Sequence, residues 1–213
     1  MTSRQEGIRR EDEGTTDVEG FIAPSIGLVE HALYFTTAPD VLVKTRGIID
    51  DHRLELPGAV VVWDETVGRR KGSKAVPGSW WATAGSVTMT VVFASESITS
   101  ESPLDTAVDA VLRAIAAFSP STPAVHAGDG RLTLDDKVLG QLGHESYQGT
   151  EVFVIRLNAA TDFSKATSTV REASTRLIDH IDESSLPLGS ASTLPNSLSQ
   201  AIMRELPRGF SPA

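Results

Sequence analysis

Arg69, Arg70, Lys71 and Lys74 fall within six consecutive positions, with Gly68 and Gly72 among them and Trp80 and Trp81 just beyond. Glycines let a backbone take up positive φ and come close to a ligand. Exposed N–H groups in such a turn form an anion-binding concavity, and guanidinium forks match carboxylate or phosphate oxygens. The tryptophans offer flat apolar area for a fused ring. The chemistry this predicts is capture of an anionic ligand that also carries an aromatic or fused-ring part. A solvated basic loop followed by a core tryptophan pair is the alternative reading of the same residues. A Walker loop is excluded, because the GxxxxGK[ST] spacing is absent.

The elements that must position this loop are read from periodicity. "GAVVVW" (58–63) is a buried strand opened by Pro57, and "SVTMTVVFA" (86–94) alternates, with Val87, Met89, Val91 and Phe93 on one side. A helix follows from Ser102 as the cap and Pro103 as its first residue, with Leu104, Val108, Val111, Leu112, Ile115 and Phe118 as its apolar stripe. "RLTLDDKVLGQL" (131–142) predicts a hairpin turning at Asp135 and Asp136, and "EVFVIRL" (151–157) another strand. Val170, Ala173, Leu177 and Ile181 predict a helix over 164–182, and Leu198 with Ile202 a last one at about 196–205. The class expected is α+β, a mixed and largely antiparallel sheet with helices on one face.

The chain has 213 residues and a formal net charge of -9, with 40% hydrophobic and 22% charged residues. That fits one domain, read as residues 21–213 behind a tail at 1–20, whose composition is too polar to offset its ordering entropy. An acidic chain argues against sequence-independent nucleic-acid binding. No apolar run is long enough to span a membrane, and no signal-peptide core is apparent, so a cytoplasmic location is the default expectation. With no cysteine there is no disulfide, thiolate metal site or cysteine nucleophile.

The order of these segments resembles the biotin/lipoate protein ligase family, in its biotin protein ligase branch, over about residues 30–210. "TTAPDVL" (36–42) stands where that family has a Ser-Thr-Asn-Asp-type start. "GAVVVWDETVGRRKG" (58–72) is similar to its strand and Gln-Thr-x-Gly-Arg-Gly-Arg-x-Gly loop, with Glu65 at the glutamine position. "HAGDGRLTLDDKVLG" (126–140) takes the place of the Lys-Trp-Pro-Asn-Asp segment and its following Lys-x-x-Gly, kept as Lys137 and Gly140. "VIRLNAA" (154–160) resembles the Gly-Ile-Asn strand, keeping Asn158 but with Arg156 for the glycine. The loop lacks a glycine between its arginines and carries several extra residues before Trp80.

The resemblance implies an ATP-dependent ligase of class II synthetase-like fold. It would activate biotin as an acyl-adenylate and pass it to a lysine of a biotin carboxyl carrier domain. Lys137 would be the catalytic cation between carboxylate and α-phosphate. Thr37, Glu65, Thr66, Gly68, Arg69 and Gly140 would face the vitamin. Arg70, Lys71, Lys74, Trp80, His126, Asp129 and Asn158 would face ATP, with Trp80 over the adenine, Arg69 also clamping the phosphate side, and Mg²⁺ bridging phosphates. Lipoate in place of biotin, or a catalytically impaired nucleotide- or carrier-binding relative, stays open, as does a homodimer. An octanoyltransferase with a cysteine nucleophile is excluded. No N-terminal helix-turn-helix is seen, so a repressor role is not implied.

Overall fold

A computed structural model describes residues 31–38, 40–63, 65, 85–164, 166, 168–182 and 191–210. Among them, seven strands form one sheet. In chain order they are β1 (Ala32–Phe35), β2 (Gly58–Val62), β3 (Val87–Ala94), β4 (Val125–His126), β5 (Arg131–Leu134), β6 (Lys137–Tyr147) and β7 (Thr150–Leu157). Their spatial order is β1-β2-β3-β7-β6-β5-β4, with β1 parallel to β2 and every other pair antiparallel.

Among the described residues four α-helices pack on this sheet: α1 (Val41–Asp50), α2 (Pro103–Ala116), α3 (Ser168–Ala173) and α4 (Leu194–Phe210). On one face, α2 and α4 cover Val87, Met89, Val91 and Phe93 of β3 and Phe153, Ile155 and Leu157 of β7. The stripe read from sequence is the one α2 buries, through Val108, Val111 and Ile115, each contributing about 1.5–3 kcal/mol. Ser102 does precede α2, but its side chain makes no capping bond; its carbonyl instead accepts from the Thr106 hydroxyl.

The expectation of helices on one face is corrected by α1. This helix lies on the opposite face, where Val41 and Ile48 pack with Val60, Val62 and Val154. Every residue of β2 is therefore buried, since both of its faces are covered. The Thr45 and Thr90 hydroxyls, 2.7 Å apart, join α1 to β3. Arg46 reaches Glu145 on β6, with Nε 2.8 Å from Oε1, and Asp50 accepts from Tyr147 Oη and Gln148 Nε2.

The helix expected over 164–182 is also corrected. It is interrupted: α3 ends at Ala173, and a short 3-10 turn covers Leu177–His180. Between them Ser174 bridges Val138, and the Thr175 N–H donates to the Val138 carbonyl at 3.0 Å. The backbone thus pairs with the start of β6 rather than with its own previous turn, yet Val170, Leu177 and Ile181 are still buried. The hairpin at Asp135 and Asp136 forms as expected, both residues at positive φ (50° and 60°), with Leu134 opposite Lys137. The last helix is longer than read, and the proposed tail lies outside the described residues.

At the far end of the sheet, Glu151 accepts from Ser95, Ser146 and a ring nitrogen of His144, which stacks on Phe153. Burial alone would push the Glu151 carboxyl up, but these bonds outweigh it and hold it below the ordinary 4.5. A carboxyl held low adds stability that is full above the unfolded-state value and fades as pH falls through the lower folded value. The stability lead of the wild type over Glu151→Gln is therefore expected to be largest near neutral pH and to shrink below about pH 4.5, as read by urea unfolding at several pH values.

Candidate active site

The C-terminal ends of β1, β2 and β7 and the N-terminal ends of β3 and β6 meet at one end of the sheet. The register fixes this: Thr88 lies opposite Arg156, Gly140 opposite Leu157, and Ala38 bridges Glu65. Of the candidates within the described residues, Glu65, Lys137, Gly140 and Asn158 arrive at this end from segments far apart along the chain.

Glu65 is the centre of the arrangement, being 3% exposed. Its Oε1 accepts from the Val41 N–H at 2.8 Å and from Arg156 Nη2 at 2.8 Å, and its Oε2 accepts from Arg156 Nε at 3.0 Å. Asp40 is the N-cap of α1 and accepts from the Leu42 and Val43 N–H groups at 2.8 and 3.2 Å. Its other oxygen is 3.7 Å from Arg156 Nη2. Two carboxylates thus satisfy the first three N–H groups of α1, where negative charge is favoured. Burial alone would lower the Arg156 guanidinium, but Glu65 and then Asp40 more than offset it and raise it, so the ion is fully charged.

Gly140 sits on β6 where a Cβ would lie 2.3 Å from the Arg156 carbonyl oxygen. Only glycine fits that close strand approach. Asn158 is 2% exposed. It holds the start of β6, its backbone N–H donating to the Leu139 carbonyl at 2.8 Å and its Nδ2 to the Val138 carbonyl at 3.4 Å, while its Oδ1 accepts from Thr161. Lys137 is exposed, with no side-chain partner among the described residues. It lines a polar cleft of about 440 Å³ with Asp162, Ser164, Arg171 and Arg176. Arg176 is paired with Asp179, whereas Arg171 has no partner there.

Thr37 is exposed, next to Ala38 at the mouth of the site. His126 is the last residue of β4, opposite Leu132 on β5, and Asp129 lies in the turn between the two strands. His126 Nε2 accepts from the Gly130 N–H at 3.2 Å, and Asp129 has φ 50°. Thr66, Gly68, Arg69, Arg70, Lys71, Lys74 and Trp80 lie outside the described residues.

Arg156, in the sequence only a departure from the family's glycine, gives its guanidinium to Glu65. Asp40 and Thr88 were not singled out at all. A signal for Arg156 was present, since a charge inside the apolar run "VFVIRLN" needs a buried partner.

No family model matches the sequence, and comparison with curated proteins gives no match. Solved structures do match in fold. A biotin protein ligase from Leishmania major in complex with biotinyl-5-AMP superposes with a TM-score of 0.62 at 18% identity, over 83% of this chain and 73% of that one. A biotin protein ligase from Aquifex aeolicus in complex with biotin and ATP gives 0.61 at 11%, over 84% and 70%. A candidate lipoate protein ligase from T. acidophilum with bound lipoic acid gives 0.58 at 12%, over 84% and 85%. The chain therefore has the fold of the biotin and lipoate ligases, as the order of its motifs implied. What these identities establish is the architecture.

Proposed function

We propose that this protein is a cytoplasmic, ATP-dependent biotin–protein ligase acting on a biotin carboxyl carrier domain. The observation that supports this most is the convergence of Lys137 and Gly140 on β6, Asn158 after β7 and Glu65 after β2 at one end of a sheet of this topology. A biotin carboxylate oxygen would attack the α-phosphorus of ATP, forming a C–O–P link and breaking the α–β anhydride to release pyrophosphate. An acceptor lysine amine would then attack the acyl carbon, lose a proton and displace AMP.

Both steps depend on placing reactants and neutralising charge. The ammonium of Lys137, without a partner among the described residues, serves the second need, with Arg171 in the same cleft. The proposed roles of Thr66, Gly68, Arg69, Arg70, Lys71, Lys74 and Trp80 complete the vitamin and nucleotide contacts. Among the described residues no group of three or more His, Asp or Glu side chains could hold a metal ion. Mg²⁺, in this reading, would accompany the nucleotide's phosphates, and no step is routed through it. No helix there is long and apolar enough to cross a membrane.

The test is ATP–pyrophosphate exchange with biotin or lipoate added in turn. Biotin-driven exchange is expected, and lipoate-only exchange transfers the proposal to the other vitamin. A second reading, binding without turnover, is favoured by one observation: the Glu65 carboxylate already takes three donors from the protein itself. Nucleotide binding with no exchange under either acid would establish it in place of the first.

A further inference from the structure

The ligase reading leaves a choice between an acid with a hydrogen-bonding head, such as biotin, and one with an apolar ring, such as lipoate. Two groups on the α1 face of the sheet bear on that choice. Arg156 gives Nε and Nη2 to Glu65, while its Nη1 has no partner among the described residues. Its side chain is 24% exposed, so it is not sealed beneath the protein.

Thr88 lies beside it in register on β3 and is 2% exposed. Val87 and Met89 belong to the opposite core, and Thr90 bonds to α1, so Thr88 is on the face of Arg156. Its hydroxyl too has no partner among the described residues. A buried hydroxyl left unpaired is uncommon in folded proteins.

These two groups carry a surplus of donors. The nearest carboxylate is already engaged, by Val41 and by Arg156 itself. A head group resting here must therefore bring an acceptor oxygen. An apolar ring would cover the partly exposed guanidinium edge without replacing the water it loses, and would leave the buried hydroxyl unpaired.

We propose that Arg156, seconded by Thr88, is the specificity-determining residue of the acid site: it selects an acid whose far end carries an acceptor oxygen, as the ureido carbonyl of biotin does, over a dithiolane. The inference rests on the ligase reading. It also gives a role to two departures from the family motif, Glu65 and Arg156, which pair with one another.

The experiment measures dissociation constants for biotin and lipoate on the full chain, on the double variant Glu65→Gln/Arg156→Gly and on Thr88→Val. The double variant removes both charges together, so that neither is stranded. The wild type is expected to prefer biotin by about tenfold or more, and the double variant to lose that preference. Thr88→Val should reduce it a few-fold, with an unchanged circular dichroism spectrum. Should the double variant not fold, Thr88→Val alone decides.

A biotin-to-lipoate ratio unmoved in the folded variants overturns the role of Arg156 and Thr88 while leaving the ligase reading intact. Tighter lipoate than biotin binding by the wild type also overturns it and keeps a ligase for the other acid. Binding of neither acid by the wild type, with nucleotide bound, overturns both.

Discussion

Lys137→Ala is expected to lower ATP–pyrophosphate exchange by roughly 100- to 1000-fold, the usual cost of losing one well-placed group that stabilises developing charge. The protein should stay folded. Lys137 is the exposed first residue of β6, and its ammonium touches no partner among the described residues. Asp135 and Asp136 supply the positive φ angles of the turn, so the hairpin does not depend on the lysine. Circular dichroism and the unfolding midpoint should therefore match the wild type while exchange collapses. Unchanged exchange would remove Lys137 from the mechanism.

The second large effect concerns stability. Glu65→Ala is expected to cost about 3–5 kcal/mol, the range for removing one partner of a buried ion pair. Two losses act together. Arg156, only 24% exposed at its side chain, is left with Asp40 at 3.7 Å as its nearest counter-charge. The Val41 N–H at the start of α1 loses its acceptor. Glu65→Gln/Arg156→Gly should cost less than half as much, because no charge is stranded. Urea unfolding of the wild type and both variants checks the order. A single variant no less stable than the double would show that the pair is not coupled.

Much of this arrangement was legible where the signal is local. Asp135-Asp136 between two alternating runs reads as a hairpin because the turn chemistry lies in those two residues. Lys137 and Gly140 keep their spacing within one strand. α1 was not legible: "VLVKTRGIID" has β-branched residues and a glycine, so its propensity for helix is poor. Its helix depends on Asp40 at the cap, on Glu65 and on packing across the sheet. The interrupted helix at 164–182 has the right apolar spacing, but edge pairing of Ser174 with Val138 competes with it and wins. The Glu65–Arg156 pair is separated by 91 residues. In the sequence each appears as an isolated misfit to a motif, and only the sheet brings the two together.

The way β2 and β3 are held has a consequence for evolution of the basic loop. The chain departs at Glu65, fastened by Ala38, Val41 and Arg156, and returns at Gly85, whose carbonyl accepts from the Ala160 N–H at 2.7 Å. Because both anchor points are set by the sheet, lengthening the stretch between them adds a closure entropy that grows slowly with length. That entropy costs about 0.6 kcal/mol for each doubling in length. The extra residues before Trp80 are thus cheap for the scaffold, and the proposed ligand-binding loop can change in length while its two anchor points stay in place.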